Sequence, residues 1–121
     1  MRALKKAGVP IAVGSSGPRL NVELALRVVG VTGEFEVVVT GDDVTHGKPD
    51  PEIFLTAAAR LKMDPAACVV IEDAPQGVAA ALAARMKVIG VMTTCEREPL
   101  SAAHLVVASL HDVSPSLIAG L

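Results

Sequence analysis

The sequence predicts an α/β fold with a mostly parallel sheet of about five strands and helices on both faces. Three observations lead there. Short Val/Ile-rich runs recur along the chain, each followed by a segment with helical periodicity. The runs are continuously apolar rather than alternating, which suits strands covered on both sides. The 121 residues, 51% hydrophobic and 20% charged, can hold one domain (1–121) with a sizeable core, without repeats or an interdomain linker.

Taken in order, residues 9–14 (VPIAVG) read as a first buried strand. Residues 19–29 read as a helix, with Leu20, Leu24 and Val28 on one face and Glu23 and Arg27 off it. Residues 35–39 (FEVVV) form the second strand, and residues 40–49 a polar loop. Asp50, Pro51 and Glu52 then open a helix: Asp50 suits the N-cap, Pro51 the first helical position and Glu52 the positive end of the dipole. Ile53, Ala57 and Leu61 make its apolar stripe. Residues 67–71 (ACVVI) are the third strand, and the Ala-rich residues 76–85 a helix able to pack close to a sheet. Residues 87–92 (KVIGVM) and 104–108 supply two further strands, and Ser114-Pro115 begins a last helix.

Composition excludes several functions. The net charge is -2, no basic run stands out, and aromatic residues are 2% with no Trp or Tyr, so neither an electrostatic footprint nor a stacking surface for nucleic acid is present. No apolar stretch approaches the roughly 20 residues of a membrane-spanning helix. Residues 1–8 are basic and amphipathic but lack a signal-peptide core. Cys68 and Cys95 make neither a disulfide framework nor a metal-ligand cluster, and a cytoplasmic location is expected. Cys68 reads as a small core residue and Cys95 as a loop residue near the site mouth, with no basic partner that would make it a catalytic thiol.

In such sheets ligands bind outside the carboxyl ends of the strands. Strand one ends at Gly14-Ser15-Ser16-Gly17, strand two at Thr40-Gly41-Asp42-Asp43 with Lys48 beyond, and strand three at Glu72-Asp73. Ser15 and Ser16 offer hydroxyl and backbone N–H groups to a phosphate, although Ser and Gly also favour ordinary turns. Lys48, in Gly47-Lys48-Pro49, either neutralises a phosphoryl group or is a solvated loop lysine. Glu72 and Asp73 are adjacent acids after a buried run, so they need a cation, either Lys48 or Mg²⁺ bound through oxygen. His46, His104 and His111 share no metal-ligand spacing, and His46 reads as a solvated loop residue.

Three groups of residues occur in a specific order: Val13-Gly14-Ser15-Ser16; Gly41-Asp42-Asp43-Val44 with Gly47-Lys48-Pro49-Asp50-Pro51-Glu52-Ile53-Phe54; and Val70-Ile71-Glu72-Asp73-Ala74-Pro75-Gln76-Gly77-Val78. Together they resemble the haloacid dehalogenase superfamily, in its beta-phosphoglucomutase-like and phosphoglycolate-phosphatase-like branch, over about residues 1 to 100. The resemblance implies a Rossmann-like three-layer sandwich and Mg²⁺-dependent phosphoryl transfer from small phosphorylated metabolites. It implies that Ser15 binds phosphate through its hydroxyl and Ser16 through its backbone N–H. By the same resemblance Lys48 stabilises charge on nucleophile and phosphoryl group, Glu72 and Asp73 stand at the metal, and Gly77 belongs to the tight helix behind them. Asp42 and Asp43 fit the branch pattern without an assigned chemistry.

The departures matter as much. The family's nucleophile and its general acid/base lie in an Asp-x-Asp motif, and nothing in this sequence matches it. The cap domain has no counterpart either, and residues 1–8 resemble the helix that follows it. Because the family reaction passes through an aspartyl-phosphate, the chain is expected to be inactive alone by that route. The resemblance also implies a missing central strand between those at 9–14 and 67–71. The two neighbours must then pair directly or accept another chain, such as a strand-exchanged homo-oligomer. Inorganic phosphate or a small phosphorylated metabolite is the expected ligand. A non-catalytic phosphate-binding or assembly module is the alternative.

Overall fold

The computed structural model describes residues 6–30, 33–93 and 96–121. Five strands alternate with helices in the order β1 (Ala12–Gly14), α1 (Arg19–Val29), β2 (Val37–Val39), α2 (Glu52–Leu61), β3 (Val69–Glu72), α3 (Pro75–Ala83), β4 (Lys87–Val91), β5 (Leu105–Val107) and α4 (Pro115–Ala119). A short 3-10 turn, Gly41–Asp43, follows β2. Every strand pair is parallel. Ala12 stands opposite Val37 and Gly14 opposite Val39; Glu72 stands opposite Gly90, and Val91 opposite Val107.

The expected single sheet is divided into a two-stranded sheet β1-β2 and a three-stranded sheet in the order β3-β4-β5. Among the described residues β1 and β3 do not pair with each other, so of the two closures open to the sequence, direct pairing is not the one adopted. A groove of about 460 Å³ separates them, lined by Ile11 and Ala12 on one wall, Cys68 and Val70 on the other, and Phe54 and Ile118 from helices.

The core lies where α2 packs on β1 and β2, α3 on β3 and β4, and the two helices on each other. Val39, Ile53, Ala80, Ala81, Val88 and Leu100 are fully buried there. The Ala-rich face of α3 permits its close approach to β4, as the composition of residues 76–85 predicts. Strands are shorter than their apolar runs: residues 9–11 and 35–36 fall outside β1 and β2, although the Glu36 amide still donates to Ile11 O at 3.0 Å. Helix α2 begins at Glu52, so Pro51 is its N-cap rather than its first residue and Asp50 stands one residue before the cap; Asp50 Oδ1 nevertheless accepts the Glu52 amide at 2.9 Å.

Helix α1 has the bounds the sequence predicts, closed by Gly30 in the left-handed region (φ 77°), whose amide reaches Arg27 O and Leu26 O. Its apolar stripe does not face the core. Leu20 is 77% and Val28 81% exposed, and Leu24 is also exposed, while Val22 on another face is buried. At the helix start Arg19 is bound to Asp42 and Asp43, beyond β2.

Candidate functional site

The carboxyl ends of β1 and β3 are joined through one side chain. Lys48 Nζ donates to Gly14 O at 3.2 Å and to Glu72 Oε2 at 3.0 Å. The ammonium lies 5.0 Å from the centroid of the Phe54 ring, on α2. Both partners are mostly buried, at 14% and 10% side-chain exposure for Lys48 and Glu72. Lys48 is thus the cation that the adjacent acids require, and the solvated-loop alternative is set aside.

Two features hold these groups. The loop carrying Lys48 is fastened by Glu52, whose carboxylate accepts the amides of Thr45 at 2.8 Å and His46 at 3.0 Å. Those two amides hold the Glu52 carboxyl below its ordinary range. His46 is exposed, as expected, with Nδ1 3.4 Å from Glu52 Oε1. The Lys48–Pro49 peptide bond is cis. On the other side, Gly77 in α3 lies directly against Glu72, and a Cβ at that position would overlap the glutamate side chain. Glycine is therefore needed where the helix crosses the acid.

Ser15 continues β1, its amide donating to Val39 O at 3.0 Å, and is partly buried; Ser16 is exposed. Ser15 adjoins Gly14, whose carbonyl Lys48 touches, so the predicted phosphate groups and the ammonium share one edge. Asp73 adjoins them after Glu72. Its Oδ2 accepts from Thr93 Oγ1 at 3.5 Å, and both residues line a pocket of about 160 Å³. Thr93 and Arg19, and the contacts of Phe54 and Thr40, are not foreseen from the motifs. Thr40 carried a legible signal: Thr40-Gly41-Asp42-Asp43 has capping-box spacing, and the box forms.

The donor set tests the implied Mg²⁺. Glu72 Oε2 is held by Lys48, and Oε1 accepts the Asp73 amide at 3.2 Å. Asp73 brings a second carboxylate to this edge, itself engaged by Thr93, and among the described residues no group of three His, Cys, Asp or Glu side chains gathers to hold a metal. The residues present do not complete a magnesium site, and no chemical step here is routed through one. Cys68 packs against the edge of the core, half-buried, and also lines the groove wall. Its Sγ lies 3.4 Å from Asp64 O, and burial, then Asp64, push the thiol above its ordinary value. Cys95 lies outside the described residues.

A Rossmann-like α/β core thus presents a lysine, hydroxyls and paired acids at the carboxyl ends of parallel strands, the edge where folds of this class take their ligands. Comparison with known proteins narrows this. The haloacid dehalogenase-like hydrolase family matches residues 1–85. Validoxylamine A 7'-phosphate phosphatase of Streptomyces hygroscopicus subsp. limoneus is 39% identical over 113 residues, covering 93% of this chain and 53% of that protein. Beta-phosphoglucomutase of Bacillus subtilis is 37% identical over 115 residues, covering 95% of this chain and 49% of that protein. The structure of CbbY from Rhodobacter sphaeroides in complex with phosphate superposes with a TM-score of 0.88 at 27% identity, over 99% of this chain and 55% of that one. The chain belongs to the haloacid dehalogenase-like hydrolase family, among phosphatase and phosphomutase relatives, and spans about half the length of the relatives it matches.

Proposed function

We propose that this chain is the phosphate-binding part of a phosphatase or phosphomutase acting on small phosphorylated metabolites. Ser15 and Ser16 hold phosphate oxygens through hydroxyl and amide groups, and Lys48 offsets phosphoryl charge. The observation that carries this is the buried Lys48 at the shared strand edge, 3.0 Å from Glu72 and beside the Ser15 loop. Lys48, already paired, is held in place before any ligand arrives.

The nucleophilic carboxylate comes from outside this sequence, on an extended segment seated between β1 and β3. The groove supports that placement, with apolar walls, two facing strand edges and Lys48 at the end where their carbonyl termini meet. Magnesium joins Asp73 only with further oxygen donors, which substrate phosphate and the added segment would bring. A free Cys68 suits a reducing cytoplasm; no helix among the described residues is long and apolar enough to cross a membrane.

The test is turnover of p-nitrophenyl phosphate with Mg²⁺, by the chain alone and with a Val/Ile-rich peptide ending in Asp. Turnover only with the peptide, lost in Lys48→Ala and absent with a peptide ending in Asn, supports the assignment. Equal turnover with Asp and Asn peptides removes the carboxylate's role. The second reading is an assembly module, favoured by the two unpaired edges facing one groove. It requires a stable oligomer by sedimentation and no turnover with either peptide.

A further inference from the structure

Resting on the phosphate site proposed above, we propose that Asp42, Asp43 and Arg19 form a clasp that positions the Ser15–Ser16 loop for phosphate. The two acids follow β2 and have no place in the chemistry of the edge. Their bonds run within their own turn and to Arg19, with Arg60 of α2 at the margin. Asp43 Oδ2 accepts from the Thr40 amide at 2.8 Å, from Thr40 Oγ1 at 3.1 Å and from Arg19 Nη2 at 2.6 Å. Arg60 Nη2 stands 4.0 Å from Asp43 Oδ1. Asp42 Oδ2 accepts the Arg19 amide at 2.7 Å, and Arg19 Nη2 also donates to Val38 O at 3.0 Å.

The backbone between the serines and Arg19 is fastened to the same turn. Ser15 donates to Val39 O at 3.0 Å and Gly41 donates to Gly17 O at 2.9 Å. Gly41 also lies against the Ser16 carbonyl so closely that a Cβ would overlap it. The loop is thus tied at Ser15, at Gly17 and at Arg19, and Ser16 is left exposed among these fixed points.

Two consequences follow for an anion. A loop ordered on folding loses little freedom when phosphate arrives, so more of the contact energy appears as affinity. The first amide of α1, which would otherwise attract an anion to the helix start, is already held by the Asp42 carboxylate. Phosphate is thereby confined to the serine loop and Lys48. Asp42, Asp43 and Arg19 touch no ligand in this scheme; they are positioning residues.

The test uses the 121-residue chain with inorganic phosphate and two readouts: phosphate titration, and amide hydrogen exchange at Ser15 and Gly41 with Ile89 and Gly90 of β4 as reference. Asp43→Asn keeps the shape and removes the charge. It should weaken phosphate binding by about tenfold, the effect of one charge-assisted hydrogen bond, and speed exchange at Ser15 and Gly41 while β4 is unchanged. Arg19→Lys should recover part of the loss relative to Arg19→Gln. Lys48→Ala should weaken phosphate binding, and any faster exchange that follows its lost stability should appear at β4 as well as at Ser15 and Gly41, without the selective effect of Asp43→Asn. Wild-type exchange and affinity in Asp43→Asn, or equal acceleration at β4, overturn the clasp. A wild-type chain that takes up no phosphate overturns the phosphate assignment, and the exchange pattern still decides whether the loop is held.

Discussion

Lys48 donates to Glu72 at 3.0 Å across the end of a groove that keeps β1 and β3 apart. The same ammonium reaches Gly14 O at 3.2 Å, so the two small sheets are linked at their carboxyl ends by one cation. Burial makes this pair costly to break singly, because the survivor stays charged in a site without a partner.

Removing Lys48 alone should therefore be worse than removing both partners. Lys48→Met should lower stability by about 3 kcal/mol, the lower end for breaking a buried pair, and Lys48→Met with Glu72→Gln should recover much of that loss. Urea unfolding of the two single variants and the double variant measures the coupling. Equal losses in Lys48→Met and the double variant would show that Glu72 does not depend on the lysine.

Gly77→Ala places a methyl group in the space of the Glu72 side chain. The expected cost is about 1–3 kcal/mol from overpacking. It should be smaller in a Glu72→Ala background, where the space is free. Additive losses in the double variant would contradict the contact.

Acid should weaken the fold through two carboxylates. Asp43 is held below its ordinary value first by the Thr40 amide and then by Arg19, and Glu52 first by the Thr45 amide and then by that of His46. A folded-state value below the unfolded one contributes stability that is complete above the ordinary carboxylate range, about pH 4, and is lost as pH falls through the folded value. Thermal unfolding between neutral pH and pH 3 should show Tm falling below about pH 4, and the fall should be shallower in Asp43→Asn with Glu52→Gln. The same slope in that variant would place the acid sensitivity elsewhere.

Cys68 on the groove wall reports on what occupies the space. Burial and then Asp64 raise its thiol, which lowers the share of reactive thiolate. A seated apolar strand should slow iodoacetamide alkylation further, and a polar peptide of the same length should not. If self-association fills the groove instead, alkylation should slow with rising protein concentration and no peptide. An alkylation rate indifferent to both would leave the groove without an occupant.

What the sequence discloses about this molecule follows the range of the interactions involved. The bounds of α1 are legible because Gly30 and the preceding loop act locally. The strands are legible as Val/Ile runs, and β4 differs from its expected bounds by one residue. Lys48 and Glu72 lie 24 residues apart, yet the pair could be suspected because parallel strands send their carboxyl ends to one edge. The facing of α1 could not be read. Leu20, Leu24 and Val28 make a stripe that periodicity alone would turn inward, whereas in the structure all three are exposed and the helix start is bonded to Asp43, 24 residues away. Of the two cations the adjacent acids left open, the structure pairs Glu72 with Lys48.

The central claim is that the edge bearing Ser15 and Lys48 is a phosphate site. Calorimetric titration of the chain with inorganic phosphate addresses it directly, in wild type, Ser15→Ala and Lys48→Ala. Saturable binding of one phosphate per chain, weakened about tenfold or more in each variant by loss of a charge-assisted contact, is the expected result. The same affinity in wild type and Lys48→Ala would contradict it.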